Sequence, residues 1–166
     1  MTRRRLVDAG LAVVLTCSAC HSHEADGEAS KSPLAVSPAD FRQLGWIEGR
    51  WVGHAPDGRP FYEEYRFTDD STIGTWSYAD STAGTPVDSG AIRLRAGQVT
   101  SGNDMVAWVV TALDANRVAF APQRGVRNSF SWERGAQGGW VARLHWTADG
   151  RQPAGDVVYH MEPRSR

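Results

Sequence analysis

Residues 140–147 read WVARLHWT, and this stretch decides the class of fold. Its apolar residues Trp140, Ala142, Leu144 and Trp146 occupy every second position. That is the period of a β-strand with one buried face. Turn signals stand on both sides of the stretch, a glycine pair at 138–139 and Asp-Gly at 149–150. The stretch therefore predicts a strand that is bounded by turns and has one face in a core.

Short runs of the same kind recur from residue 50 to the end of the chain. They lie at 50–54, 61–68, 72–81, 90–96, 98–100, 105–113, 118–121, 128–134, 140–147 and 157–162. Their spacing favours an antiparallel barrel or sandwich, and the connections are too short for the crossover helices of a parallel sheet. We predict an all-β, up-and-down antiparallel barrel of about 8–10 strands.

One short helix is predicted before the first strand. Ser37 is a suitable N-cap, Pro38 fits the first helical position and Asp40 places an acid in the first turn. Phe41 and Leu44 supply the apolar face. The helix ends at residue 45 or soon after it, and no later stretch has a sustained helical period.

Composition excludes several classes of protein. The chain is 41% apolar, 22% charged and 10% aromatic, which is typical of a globular domain and not of a disordered chain or a multi-span membrane protein. A net charge of −1 leaves no basic surface for nucleic acid. We predict no metal site and no cofactor, because the His-x-His at His21 and His23 lies in a polar segment that we expect to be solvated.

The first residues of the chain predict that the protein is located in a bacterial cell envelope. Arg3, Arg4 and Arg5 precede a short apolar run at 11–15, as in a signal peptide. Ser18-Ala19-Cys20 resembles a lipobox, which implies cleavage before Cys20, acylation of its thiol and anchoring in a membrane, here the outer membrane facing the periplasm. The predicted division is a signal peptide at 1–19, a lipidated cysteine and disordered tether at 20–38, and a monomeric barrel domain at 39–166.

Aromatic and acidic residues on the middle strands are the candidates for a ligand cavity. The candidates are Glu64, Trp76, Tyr78, Trp108, Phe130 and Trp132. On the second strand Phe61, Tyr65 and Phe67 form an apolar series that Glu63 interrupts, while Tyr62, Glu64 and Arg66 form the alternative face. Seven Trp in a chain of this size predict rings that fill a core or line a cavity.

A resemblance begins at residues 41–51, FRQLGWIEGRW. They end in Gly49-Arg50-Trp51, directly after the predicted helix, and so resemble the Gly-x-Trp signature of lipocalins and other calycins. The segments 63–65 and 140–162 resemble bacterial lipocalin-like lipoproteins of uncharacterised function. The resemblance implies that Trp51 plugs the closed end of the barrel and that Arg143 or Arg164 packs over it. The chain lacks the His-Asp-Phe-Pro segment that those families often carry.

Three classes of function are compatible with these observations. The first is an envelope lipoprotein that binds a small apolar or aromatic ligand in a barrel cavity. The second is a filled barrel that serves as a structural or protein-interaction module of the envelope. The third is an enzyme, which we do not favour because the chain has no Gly-x-Ser-x-Gly, His-Glu-x-x-His or phosphate-binding glycine loop.

Overall fold

Ten strands follow one another along the chain. They are β1 (Gly49–His54), β2 (Pro60–Asp69), β3 (Thr72–Tyr78), β4 (Asp88–Arg95), β5 (Gln98–Gly102), β6 (Ala107–Leu113), β7 (Arg117–Arg124), β8 (Asn128–Arg134), β9 (Trp140–Trp146) and β10 (Gly155–Pro163). The computed structural model describes residues 32–103, 105–135, 137–148 and 153–164. The predicted signal peptide, Cys20 and most of the predicted tether lie outside the described residues.

The strands close into one barrel. Each strand pairs antiparallel with the next, and β10 returns to β1, where Trp51 lies opposite Pro163. The predicted antiparallel up-and-down barrel is therefore confirmed, at the upper end of the expected strand number. The third strand is shorter than predicted, because the chain leaves the sheet after Tyr78 and crosses to β4 through residues 79–87.

The predicted helix covers one end of the barrel, which we call the lower end. Helix α1 (Pro38–Arg42) begins at a capping box in which Ser37 Oγ accepts a hydrogen bond from the Asp40 amide at 3.1 Å. A 3₁₀ helix (Gln43–Ile47) continues it to β1. Phe41, Leu44 and Ile47 are fully buried, since they close the lower end of the core. In the part of the chain that is described, no helix is long and apolar enough to cross a membrane.

The residues before α1 also lie against the barrel. The Leu34 amide donates to the Val110 carbonyl at 2.9 Å, and the Val36 amide donates to the Gly97 carbonyl at 2.8 Å. Val36 is buried. The end of the segment that the sequence assigned to a tether is thus packed on the domain, because its two apolar side chains and two backbone amides find partners there.

A cluster of large rings fills the lower half of the barrel. Trp51 packs edge-to-face against Trp140 at 5.8 Å, and its indole N–H donates to the Ile47 carbonyl at 2.7 Å. Gly49, two residues earlier, has φ +136°, a conformation that glycine adopts without strain. The Gly-x-Trp spacing therefore lets the chain turn from the helix into β1 while the ring seals the lower end.

Candidate functional site

The alternation of the strands separates an inner wall from an outer wall. Ile73, Ile92 and Val110 point inward and are fully buried, so residues two positions away on the same strands also point inward. The loops at 55–59, 79–87 and 125–127 mark the upper end, opposite the helix. The lower and middle layers of the inner wall are mostly buried. The inward-facing side chains near the upper end keep accessible surface.

One side of the upper inner wall carries small side chains, with Asp88 opposite Ser77 at its rim. Thr75 and Ser77 of β3, Gly90 of β4 and Ser101 of β5 all point inward. Thr75 lies opposite Gly90, and Ser77 lies opposite the inward-facing Glu63. Each of them keeps accessible surface. A barrel of ten strands is wider than one of eight, in which side chains just fill the interior, so we expect small residues here to leave space inside.

The opposite side of the upper inner wall carries large apolar side chains. Strands β8 and β9 lie five positions from β3 and β4 around the ring of strands. They contribute Phe130, Leu144 and Trp146, each partly exposed. Trp108 of β6 packs edge-to-face against Phe130 at 5.5 Å and donates its indole N–H to the Asn128 carbonyl at 2.8 Å. The rings are thus held in place without closing the space.

We call this space the inner cup. Its wall consists of inward-facing side chains near the upper end that keep accessible surface. They are Phe61, Glu63, Thr75, Ser77, Gly90, Ser101, Trp108, Phe130, Leu144, Trp146 and Val157. An accessible wall of apolar side chains with a few polar groups is the usual lining of a small-molecule site.

Glu63 is the one carboxylate on the inner face of β2. It alternates with Phe61, Tyr65 and Phe67, and it lies opposite Trp51 of β1 and Ser77 of β3. The Tyr65 hydroxyl donates to Glu63 Oε2 at 2.6 Å. Protein surrounds the carboxyl on nearly all sides, yet the residue keeps some accessible surface. It therefore lies deep in the wall of the inner cup.

Burial shifts the titration of the groups around Glu63. Loss of water raises the pKa of Glu63 above its ordinary value, against the opposing effect of the Tyr65 hydrogen bond. Burial, and then the Glu63 charge, raises the pKa of Tyr65 well above its ordinary value and raises the pKa of Tyr159 as well. The folded barrel thus holds a proton on Glu63 more tightly than the unfolded chain does.

Replacing Glu63 with glutamine is expected to stabilise the protein at alkaline pH. Because the pKa of Glu63 is raised in the folded state, the wild type loses stability as the pH rises from about 4.5, the value for the unfolded chain, through the folded pKa. The glutamine side chain has no charge to bury and still accepts the Tyr65 hydrogen bond. The melting temperature of Glu63→Gln is expected to exceed that of the wild type near pH ~8, and the difference to shrink toward pH ~4.

Glu64→Gln is the matched control, because it removes an outer-wall carboxylate that is already paired. It is expected to melt at or below the wild-type temperature across the same pH range. A Glu63→Gln protein that melts below the wild type at alkaline pH would show that Glu63 is not the desolvated carboxyl.

Three predicted cavity residues lie together on the outer wall instead. Arg50 Nε is 3.1 Å from Glu64 Oε2, and the Tyr78 hydroxyl donates to the same oxygen at 2.9 Å. The Arg66 guanidinium lies over the Trp76 ring at 5.0 Å. Glu64, Trp76 and Tyr78 form an ion-pair and ring cluster there, so the inner cup does not include them.

The other three predicted cavity residues lie on the inner wall at two levels. Trp108 and Phe130 belong to the inner cup, as described. Trp132 is buried beneath it, between Phe130 and Trp140, with ring centroids 5.5 and 5.2 Å away. Trp132 therefore belongs to the core and forms no part of the accessible wall.

Neither arginine that the resemblance placed over Trp51 lies there. Arg143 lies on the outer face of β9, half-exposed, with its Nε 3.6 Å from Glu133 Oε2. The alternation of β9 turns it outward. The Arg164 guanidinium lies over the Tyr62 ring at 5.0 Å, also on the outer wall.

A groove of about 470 Å³ crosses the outer wall over β6 to β10. Small side chains such as Ala119 and Ser131 form its floor, and longer charged ones form its sides. Several of the charged side chains that line the groove are paired with oppositely charged neighbours. Arg117 and Arg143 both approach Glu133, and His145 Nδ1 is 2.7 Å from Asp156 Oδ1. The groove is lined by both polar and apolar side chains.

Among residues 32–103, 105–135, 137–148 and 153–164, no group of three or more His, Cys, Asp and Glu side chains is placed to hold a metal ion. Searches against protein-family models, curated proteins and solved structures each return no match for this chain. The resemblance to bacterial lipocalin-like lipoproteins therefore stays a prediction from the residues that carry it.

Sequence reasoning missed the polar residue of the inner cup. It selected Glu64, whereas Glu63 is the inward-facing carboxylate. The signal was present, because a single acid within the series Phe61, Tyr65 and Phe67 marks an acid on the buried face. The small residues at 77 and 101 had no signal of their own, since space inside a barrel becomes visible only once the strands are paired.

Proposed function

We propose that this chain is an envelope-anchored lipoprotein whose barrel binds a small apolar or aromatic molecule in the inner cup. The observation that carries the proposal is the upper inner wall, where small side chains on β3 to β5 face partly exposed rings on β6, β8 and β9. A ligand that fills this space removes apolar surface from water at about 25 cal/mol per Å². The lipid anchor at Cys20 is part of the proposal and rests on residues 1–20 alone.

The helix that precedes β1 and the inner cup lie at opposite ends of the barrel. Helix α1 closes the lower end of the barrel, and the residues just before it are hydrogen-bonded to Val110 and Gly97 through the Leu34 and Val36 amides. We infer that the cup takes up its ligand from the surroundings of the anchored domain.

Calorimetric titration with naphthylethanol, a neutral aromatic alcohol, tests the proposal. We expect saturable binding of one molecule per chain and a rise in the melting temperature. At a ligand concentration about 100 times the dissociation constant, the stabilisation should be about 2.7 kcal/mol. If neither heat of binding nor melting temperature responds to a panel of such aromatic alcohols and hydrocarbons, the cup does not bind this class of ligand.

A second candidate function is favoured by the groove on the outer wall. A groove of about 470 Å³ over β6 to β10 offers a surface to a partner molecule outside the barrel. In that case the barrel acts as an interaction module of the envelope. Ala119→Arg, which fills the floor of the groove, would then abolish partner capture while leaving naphthylethanol binding unchanged.

A further inference from the structure

Among the described residues, only one of the two carboxylate oxygens of Glu63 has a hydrogen-bond partner. Oε2 accepts the hydrogen bond from Tyr65, and no hydrogen bond or ion pair reaches Oε1 from any described residue. A carboxylate that is largely withdrawn from water normally has a cation or several donors, because desolvating its charge is costly. The inner wall therefore holds a charge site that the described part of the protein only half satisfies.

The surroundings of Glu63 suit a positive charge and supply none from the described residues. The neighbouring inward-facing side chains are Trp51 on β1, Phe61 and Tyr65 on β2, Ser77 on β3 and Tyr159 on β10. Two of them, Phe61 and Tyr159, meet edge-to-face at 5.4 Å. Aromatic faces attract cations through the ring quadrupole. A carboxylate among aromatic rings is thus complementary to an ammonium group.

The arginines of β1 and β2 contact other residues on the outer wall and not Glu63. Arg50 pairs with Glu64 at 3.1 Å on the outer wall, and Arg66 lies over Trp76 on the same face. Both project away from the barrel interior because they alternate with inward-facing neighbours. No ion pair among the described residues includes Glu63.

We propose that the ligand of the inner cup is an aromatic or apolar amine whose ammonium group binds Glu63 Oε1. Ser77, directly opposite Glu63 on β3, supplies a second oxygen for an ammonium N–H, and the apolar body of the ligand lies against Phe130 and Trp108. This inference rests on the proposed function and adds the class of ligand to it. A neutral or anionic ligand of the same shape leaves Glu63 Oε1 unsatisfied, so it binds more weakly.

The proposal predicts how binding depends on pH. Among the described residues, Asp88 lies next in the same row of inward-facing side chains, across Ser77, and the Tyr65 and Tyr159 hydroxyls face Glu63 from the adjacent elements. Both hydroxyls stay protonated at neutral pH, because their pKa values are raised. Amine affinity is therefore expected to rise as the pH rises through the raised pKa of Glu63, and to fall below it, while the amine itself stays charged.

A matched set of probes tests the inference on the full chain. Naphthylethylamine, naphthylethanol and naphthylacetic acid share one aromatic body and carry a positive, neutral or negative head group. Calorimetric titration of the wild type is expected to give about 10-fold tighter binding of the amine than of the alcohol, and weaker binding still of the acid. Glu63→Gln is expected to remove the preference for the amine over the alcohol.

The outcomes separate this inference from the proposed function. If all three probes bind with similar affinity, or Glu63→Gln leaves the amine preference intact, the amine inference is wrong while the proposed function is not contradicted. If none of the three binds, both proposals are wrong. The comparison of probes on the wild type needs no variant, so it decides the inference even if Glu63→Gln folds poorly.

Discussion

Replacing Trp51 with alanine is expected to lower the free energy of unfolding by about 3–5 kcal/mol. Trp51 is 4% exposed, packs edge-to-face against Trp140 and donates its indole N–H to the Ile47 carbonyl. Removing the ring opens a cavity at the lower end, between the barrel and the helix that closes it. For a domain of this size the loss corresponds to a fall in melting temperature of roughly 10–20 °C.

Trp76→Ala is the matched control, since it removes the same side chain from the outer wall. Trp76 is partly exposed and its main partner is the Arg66 guanidinium, a contact worth about 0.5–1 kcal/mol. Differential scanning calorimetry of the two variants measures the contrast. If Trp51→Ala melts within a few degrees of Trp76→Ala, the lower end of the barrel is not sealed by Trp51.

The fold could be predicted from the sequence because local patterns determine it. The alternation in residues 140–147 indicates a strand, and the turn residues between such runs indicate where each strand ends. Ser37, Pro38 and Asp40 mark the start of the helix. The short connections then leave an antiparallel meander as the simplest pairing. The third strand ends earlier than expected, because the predicted strand 72–81 included residues that belong to the loop 79–87.

The inner cup could be predicted only in part, because the choice of face on β2 and β3 is ambiguous in the sequence. On β3 the two aromatic residues, Trp76 and Tyr78, look like the buried series. They point outward because the Trp76 ring lies across Gly74, where a Cβ would meet it at 2.3 Å, and because Glu64 and Arg66 supply polar partners. The small residues Thr75 and Ser77, which alternate with them along β3, point inward.

This inversion of β3 places small side chains on the inner wall of the barrel. If Trp76 and Tyr78 pointed inward, two large rings would occupy the sector that the small residues at 75 and 77 now leave open. The same one-residue choice on β2 places Glu63 inside and Glu64 outside. A shift of one residue moves every side chain of a strand to the other face, so register decides both the space and its charge.

Replacing Ser101 with phenylalanine is expected to abolish ligand binding while leaving the fold intact. Ser101 points inward from β5, opposite Ile92 of β4 and Trp108 of β6. A phenyl ring there occupies the space between the small sector and the Trp108 ring. Because Ser101 keeps accessible surface, the added ring enters open space and does not displace packed neighbours.

Ser89→Phe is the matched control for this substitution. Ser89 lies on the outer face of β4, exposed and opposite Trp76, so the same added ring stands outside the barrel. Both variants are expected to keep the β-sheet circular dichroism spectrum of the wild type. Only Ser101→Phe changes the volume of the inner cup.

Calorimetric titration of the wild type, Ser101→Phe and Ser89→Phe with naphthylethanol tests most directly whether the interior of this barrel binds a small molecule. We expect the affinity of Ser101→Phe to fall by at least about 10-fold and that of Ser89→Phe to stay within about twofold of the wild type. Equal binding by all three proteins would place the ligand outside the inner cup and contradict the account.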